Sequence, residues 1–417
     1  MGVIPVGGNT GLVGGSVPFP VTSAQHAPVL LSLERMRQIQ AIEPQSGVIK
    51  AEAGCILESL DAALSEHQLR MPIDLGAKGS CQLGGILATN AGGIRFLRYG
   101  SLHGSALGME VVLADGRVLS DMRALSKDNT GYDWKQLFIG SEGTLGVITA
   151  AAIRTPVKPA ATNVACFLVK DFTAVTRLLA AAKQQLGEIL SAFEFWDENC
   201  QSALEAHGKC ATIFQNSPPP GAMYVLIETG GSSNDHDSQK LTSFCESVLS
   251  DFVLDGVLAQ DQTQQANLWH LREGIPEASA RFKSSATDPF GLVHKFDISL
   301  PLAHYYRLVE IVRDKLDPCS FRVLGFGHVG DGNVHLNIVD LLRNEQSKAT
   351  LTVISDFIYS WVIENGGSIS AEHGIGQLKR NQFERSKSPS VLGLMRQFKH
   401  LLDPQGILNP GKMFKEM

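Results

Sequence analysis

Residues 326–337 read Phe326-Gly327-His328-Val329-Gly330-Asp331-Gly332-Asn333-Val334-His335-Leu336-Asn337. Asp331-Gly332 is a hairpin signal, because a two-residue type I′ turn needs φ > 0 at both central positions. With those two residues as the loop, His328 lies opposite His335 and Phe326 opposite Asn337. Facing side chains of an antiparallel pair leave one face with Cβ atoms about 4.5–5.5 Å apart. Two imidazoles at that spacing reach one metal ion, with Asn337 beside them. A carboxylate follows later, in Ser370-Ala371-Glu372-His373-Gly374. Two histidines and a glutamate make a three-ligand site with room for substrate. The alternative is a pair of solvated or hydrogen-bonded imidazoles flanking a turn. The glycines around both motifs allow close approach of backbone or ligand, which leaves the two readings level.

The 417 residues, 44% hydrophobic and 19% charged, allow two or three domains around a sizeable core. A formal charge of −6 with no basic stripe excludes nucleic acid as a partner. No apolar run approaches the ~20 residues of a membrane span. The seven cysteines (Cys55, Cys81, Cys166, Cys200, Cys210, Cys245, Cys319) are irregularly spaced and contain no Cys-x-x-Cys, which argues for a reducing compartment. The first residues resemble neither a signal peptide nor an Arg-rich leader. Val6 stands where myristoylation wants Ser or Thr.

A strand is expected at residues 3–6, followed at once by Gly7-Gly8-Asn9-Thr10-Gly11-Leu12-Val13-Gly14-Gly15-Ser16. Such a loop offers successive backbone N–H groups to phosphate oxygens. Leu12, Val13 and the absence of acidic residues favour that reading over a flexible linker. Strands are expected at 29–33 and 48–53, then an amphipathic helix through Ile56, Leu57, Leu60, Ala63 and Leu64. From Pro72-Ile73-Asp74-Leu75-Gly76 through Gly79-Ser80 and Gly84-Gly85 to Ala88-Thr89-Asn90-Ala91-Gly92-Gly93, small residues suggest backbone held close to a flat or extended ligand. Asp115-Gly116 signals another hairpin, and Gly140-Ser141-Glu142-Gly143-Thr144-Leu145-Gly146-Val147 leads glycine-dense into a strand. A boundary is expected near Thr155-Pro156-Val157-Lys158-Pro159. Beyond it, strands at 163–169, 190–196, 223–229, 292–299, 321–327 and 333–340 alternate with helices at 171–186, 236–251, 303–316 and 347–363. That alternation predicts an α+β or α/β layer domain.

Six ordered motifs carry a resemblance over essentially the whole chain. They are residues 7–18, residues 72–104 (ending Arg98-Tyr99-Gly100-Ser101-Leu102-His103-Gly104), residues 128–146, residues 327–337, residues 370–376, and Leu408-Asn409-Pro410-Gly411-Lys412. In them the sequence resembles the FAD-linked D-2-hydroxyacid dehydrogenases of the vanillyl-alcohol oxidase superfamily. The resemblance implies an α+β fold: an FAD-binding domain over 1–156, an α+β cap carrying substrate groups over 157–370, and a C-terminal segment, 371–417, returning to the flavin. The family's strand–helix–strand unit before the phosphate loop is absent, so the flavin-binding domain is expected to be N-terminally truncated.

The same resemblance places the FAD pyrophosphate on Gly7, Gly8, Asn9, Thr10, Gly11, Gly14 and Gly15. It lines the rest of the cofactor with Pro72, Asp74, Gly79, Ser80, Gly84, Thr89, Asn90, Gly93, Glu142, Gly143, Val147 and Asn409. Asn9 stands near where covalently flavinylated relatives often carry His, so non-covalent FAD is expected. His328, His335 and Glu372 fall on zinc ligands, Asn337 on a substrate contact, and His373 on the catalytic base, which also touches substrate. Arg272 and Lys295 fall on cationic substrate-binding positions. Pro276 replaces a Thr found in some members, and the segment 281–292 is longer than usual.

The implied chemistry is oxidation of a D-2-hydroxy acid to a 2-oxo acid, with zinc polarising the hydroxyl, His373 taking its proton and the C2 hydride passing to flavin. Two cationic positions make the dicarboxylate D-2-hydroxyglutarate the expected substrate. D-lactate or glycolate is the alternative, as are a non-haem iron oxygenase and an inactive truncated product. An electron acceptor such as an electron-transfer flavoprotein or an oxo acid is implied, in the mitochondrial matrix by resemblance or otherwise the cytoplasm. A homodimer is compatible with the sequence.

Overall fold

The computed structural model describes residues 2–19, 28–206, 213–214, 217–249, 252–281 and 292–415. Cys210, the last residues of the helix expected at 236–251, and most of the segment 281–292 lie outside the described residues. The chain forms two compact units, Met1–Lys158 with Glu372–Met417, and Pro159–Ala371.

The strands of the first unit are β1 (Val3–Val6), β2 (Val29–Ser32), β3 (Ile39–Glu43), β4 (Val48–Glu52), β5 (Ala106–Val112), β6 (Val118–Asp121) and β7 (Val147–Arg154). β1 and β2 pair in parallel, and the others form an antiparallel sheet in the order β3-β4-β7-β5-β6. β7 is apolar at nearly every position because it is covered on both faces. Its small residue Ala151 shares a core cluster with Leu83, Ile86 and Leu87 of the helix Leu83–Ala88, which packs against this strand. The tail is tied to β1: the Val3 amide donates to the Ile407 carbonyl (2.7 Å), and the Asn409 amide to the Val3 carbonyl (2.7 Å). Buried Lys399 locks that tail, donating to the carbonyls of Thr144 (2.8 Å) and Leu408 (2.9 Å) while pairing with Asp403.

The second unit holds β8 (Ala161–Val169), β9 (Leu190–Asp197), β10 (Met223–Gly231), β11 (Val253–Leu258), β12 (Leu292–Ser299), β13 (Phe321–His328) and β14 (Asn333–Asp340). They form one sheet, β11-β8-β10-β9-β13-β14-β12, antiparallel throughout, so this layer is α+β rather than α/β. Helices Glu198–Ala206 and Gln262–Ala280 pack one face around Trp196, Leu226, Leu324 and Phe326. Neither helix was among those expected from the sequence, and the second holds Pro276 inside it, where proline normally ends a helix. Asp261 caps its start, accepting from the Gln264 amide at 2.8 Å. β11 was also not anticipated.

Candidate active site

The hairpin of β13 and β14 differs from its expected register. The connection is the four residues 329–332, with the His328 carbonyl accepting from the amides of Asp331 (3.4 Å) and Gly332 (3.2 Å). Only Gly332 takes a left-handed conformation there, at φ +87°, so the two-residue type I′ turn does not form. Phe326 therefore faces His335, His328 faces Asn333, and Leu324 faces Asn337. A shift of two residues keeps every side chain on its expected face. The two histidines become diagonal neighbours, and their Nε2 atoms lie 3.4 Å apart.

Strand pairing carries that face across the sheet. Asp297 pairs with His335, and Lys295 with Asn337, from β12. Glu194 pairs with His328 from β9. Asn337 is buried and Lys295 exposed. Asp297 Oδ1 lies 3.8 Å from His335 Nδ1 and accepts from the Asn333 side chain at 2.9 Å. Glu194, 1% exposed, takes His328 Nδ1 at 2.7 Å and Arg272 Nη2 at 2.8 Å. Removing one partner from such a buried pair costs about 3–5 kcal/mol, because the other charge is left uncompensated.

Arg272 also lies over the Phe326 ring, 5.0 Å from its centroid, and its Nε has no acceptor among the described residues. Pro276 cannot give the Arg272 carbonyl the usual helical N–H. Burial raises Asp331 to about 6.

This donor set suits a divalent cation. Because a carboxylate can only accept, the contact to Glu194 places a proton on His328 Nδ1, so that in the neutral imidazole Nε2 carries the lone pair. Two nitrogens about 2.0–2.1 Å from one tetrahedral zinc stand roughly 3.3–3.4 Å apart, which is the spacing found. The buried carboxylates of Glu194 and Asp297 add negative charge beyond what Arg272 offsets.

The first unit builds its surface from backbone. Among the described residues, the amides of residues 7–12 have no acceptor, as an anion cradle requires. Gly8 lies against the Ser80 carbonyl, where any Cβ would overlap it. Asn9, Asn90, Glu142 and Asn409 all take left-handed φ, at 52°, 48°, 52° and 40°. Non-glycine residues seldom adopt that conformation, and it concentrates at functional sites. Pro72, Gly92, Gly93, Phe96 and Ser105 line a small pocket. Asp74 beside it is ringed by Arg95 (3.3 Å), Lys78 (3.4 Å) and Arg70 (3.9 Å).

Other expected cofactor residues have structural partners. The Glu142 carboxylate accepts from the amides of Ile375 (2.6 Å) and Gly376 (2.7 Å), and burial pushes it above the usual carboxyl range. Thr89 Oγ1 donates to the Gly85 carbonyl at 3.0 Å, Asn90 Oδ1 accepts from Ser101, and the Val147 side chain packs with Leu33, Ala53 and Leu408.

Asn409 Nδ2 donates to the carbonyls of Gly15 (3.0 Å) and Glu142 (2.7 Å), while its buried Oδ1 has no partner among the described residues. Glu372 sits against Gly92, and its Oε1 lies 3.7 Å from His373 Nε2. The orphaned Asn409 acceptor, the unoccupied amides of residues 7–12 and the close-packed glycines fit a large anionic planar cofactor.

Glu194 and Asp297, which the structure brings beside the two histidines, were not among the expected site residues. Asp297 had a signal in the Lys295-Phe296-Asp297 match, whereas Glu194 lies in an ordinary strand. Lys412 was quoted in the tail motif without a role. Its Nζ is buried with no hydrogen-bond partner among the described residues, and burial, with Arg380 nearby, pulls it down to about 8.

Residues 1–121 match the family model described as "FAD binding domain", and residues 158–413 match "FAD linked oxidases, C-terminal domain". A mitochondrial D-2-hydroxyglutarate dehydrogenase of Rattus norvegicus is 49% identical over 99% of this chain and 73% of its own length. That of Bos taurus is 49% identical over 99% and 72%. Among solved structures, an alkyldihydroxyacetonephosphate synthase superposes with a TM-score of 0.72 at 18% identity, covering 98% of this chain and 72% of the other. The fold is that of the vanillyl-alcohol oxidase type.

Proposed function

The chain belongs to the FAD-linked D-2-hydroxyglutarate dehydrogenases, and from that premise we propose that it oxidises D-2-hydroxyglutarate to 2-oxoglutarate with zinc on His328, His335 and Glu372. The observation that carries the metal is the pair of Nε2 atoms 3.4 Å apart, with His328 Nδ1 engaged by Glu194 so that the neutral ring turns its lone pair to Nε2. Residues 1–156 and 371–417 hold FAD non-covalently through the cradle of residues 7–15, Asn90 and Asn409, and residues 157–370 read the substrate.

FAD supplies the two-electron acceptor for the C2 hydrogen, and zinc a Lewis acid that acidifies the 2-hydroxyl. The chain's own residues do the remainder. Arg272 and Lys295 bind the two carboxylates, and the free Nε of Arg272 gives it a donor to spend on one of them. Asn337, fixed beside Lys295 by strand pairing, orients the substrate. The His373 imidazole takes the hydroxyl proton. Electrons leave to an electron-transfer flavoprotein or an oxo acid, in the mitochondrial matrix as the relatives' names suggest.

Metal analysis beside turnover tests the roles. Glu372→Ala is expected to lose zinc and turnover together. His373→Ala is expected to keep zinc and FAD but lose about 10²–10⁴-fold in kcat, with residual activity rising with pH. Loss of zinc from His373→Ala and its retention in Glu372→Ala would swap the roles.

A further inference from the structure

Glu194 lies on β9, outside every motif that points to chemistry, and yet it is 1% exposed between two groups of opposite duty. Its Oε1 is 2.7 Å from His328 Nδ1, and its Oε2 is 2.8 Å from Arg272 Nη2. Oε1 accepts the His328 hydrogen bond, Oε2 makes an ion pair with the guanidinium, and neither oxygen can donate. We infer that Glu194 is a positioning residue: it holds His328 in the Nδ1–H tautomer, so presenting Nε2 to the metal, and with its second oxygen anchors Arg272. This rests on the zinc assignment to His328 and His335, and it adds the group that decides which imidazole nitrogen can ligate.

The substitution Glu194→Gln exposes the role because an amide has one accepting end and one donating end. If the oxygen faces His328, the NH₂ opposes the Arg272 guanidinium, donor against donor. If it faces Arg272, the NH₂ donates to His328 Nδ1 and the ring proton moves to Nε2. That proton then lies between two Nε2 atoms 3.4 Å apart and closes the metal position with a histidine–histidine hydrogen bond. A carboxylate that only neutralised Arg272 would leave the His328 tautomer unaffected.

Two measurements on the full chain test this. In metal-free wild type labelled with ¹⁵N-histidine, His328, assigned by the signal missing from His328→Ala, is expected to show a protonated Nδ1 and a bare Nε2. Titration of zinc alone against a chromogenic chelator is expected to show Glu194→Gln binding about 10–100-fold more weakly than wild type. The wild-type tautomer needs no variant to fold, and a protonated Nε2 with a bare Nδ1 there overturns the inference. Unchanged zinc affinity in Glu194→Gln, with affinity lost in His328→Ala and His335→Ala, also overturns it and leaves the zinc assignment standing. Unchanged affinity in all three variants overturns both.

Discussion

Asn9, Asn90, Glu142 and Asn409 in the first unit contribute unusual backbone, held at left-handed φ beside glycines that have no room for a side chain. Glu194, Arg272, His328 and His335 in the second unit contribute side-chain atoms from ordinary strands and a helix, gathered on one face by register. A long cofactor with many polar atoms is matched by main chain, whose donors come at fixed spacing. A small substrate and an ion need a few atoms at chosen distances, which rigid elements supply. The first kind of site tolerates a change of side chain better than a change of backbone, and the second kind the reverse.

Gly8→Ala breaks the contrast most severely if it is correct. The new methyl overlaps the Ser80 carbonyl, and backbone on both sides must move, at about 3 kcal/mol or more. The expected outcome is a lower urea midpoint together with loss of bound flavin. A Gly8→Ala protein that keeps its flavin and midpoint would mean that the loop is not pressed into that conformation. Next in size is Lys295→Ala. A lost charge-assisted hydrogen bond is worth ~1.5–3 kcal/mol, or roughly ten- to a hundred-fold in kcat/KM. The loss is expected with D-2-hydroxyglutarate and not with D-lactate, measured by steady-state kinetics on both. Equal losses would remove Lys295 from the distal carboxylate.

The same contrast explains what the sequence could reveal. Backbone sites write themselves as glycine: Gly7–Gly15 stood out as a run of amides open to phosphate oxygens, and Gly92-Gly93 as backbone held close to a ligand. Side-chain sites leave a trace only where two members are near in sequence. His328 and His335 sit seven residues apart and were legible even though their loop was misjudged, since an even shift of register preserves the face. Asp-Gly signals a turn but not its length. Glu194 is 134 residues from His328, in a strand that reads as core, and only the pairing of β9 with β13 brings them together. Arg272 was placed by resemblance alone, and the helix that carries it was not among those expected.

The smallest expected effect concerns Lys412. Burial lowers its ammonium from 10.5 to about 8, so the folded chain releases this proton before the unfolded chain does. Holding the charged form therefore costs stability below about pH 8, and the cost is relieved as pH rises from about 8 to 10.5. Lys412→Met is expected to raise the Tm at pH 7, by an amount that shrinks towards pH 10. A gain that is constant with pH would show that the effect is one of packing rather than charge, and a loss at pH 7 that the folded chain stabilises the ammonium.

Anaerobic mixing of the flavin-loaded protein with D-2-hydroxyglutarate, with and without prior removal of zinc, tests the central claim most directly. With zinc in place, the visible flavin absorbance is expected to bleach within the time of a turnover. After chelation it should bleach on the order of 10²-fold more slowly or not at all, because the acidifying charge at the hydroxyl is worth several kcal/mol, and restoring zinc should restore the rate. Bleaching at the same rate in zinc-free protein, or none in protein carrying both flavin and zinc, would contradict the account.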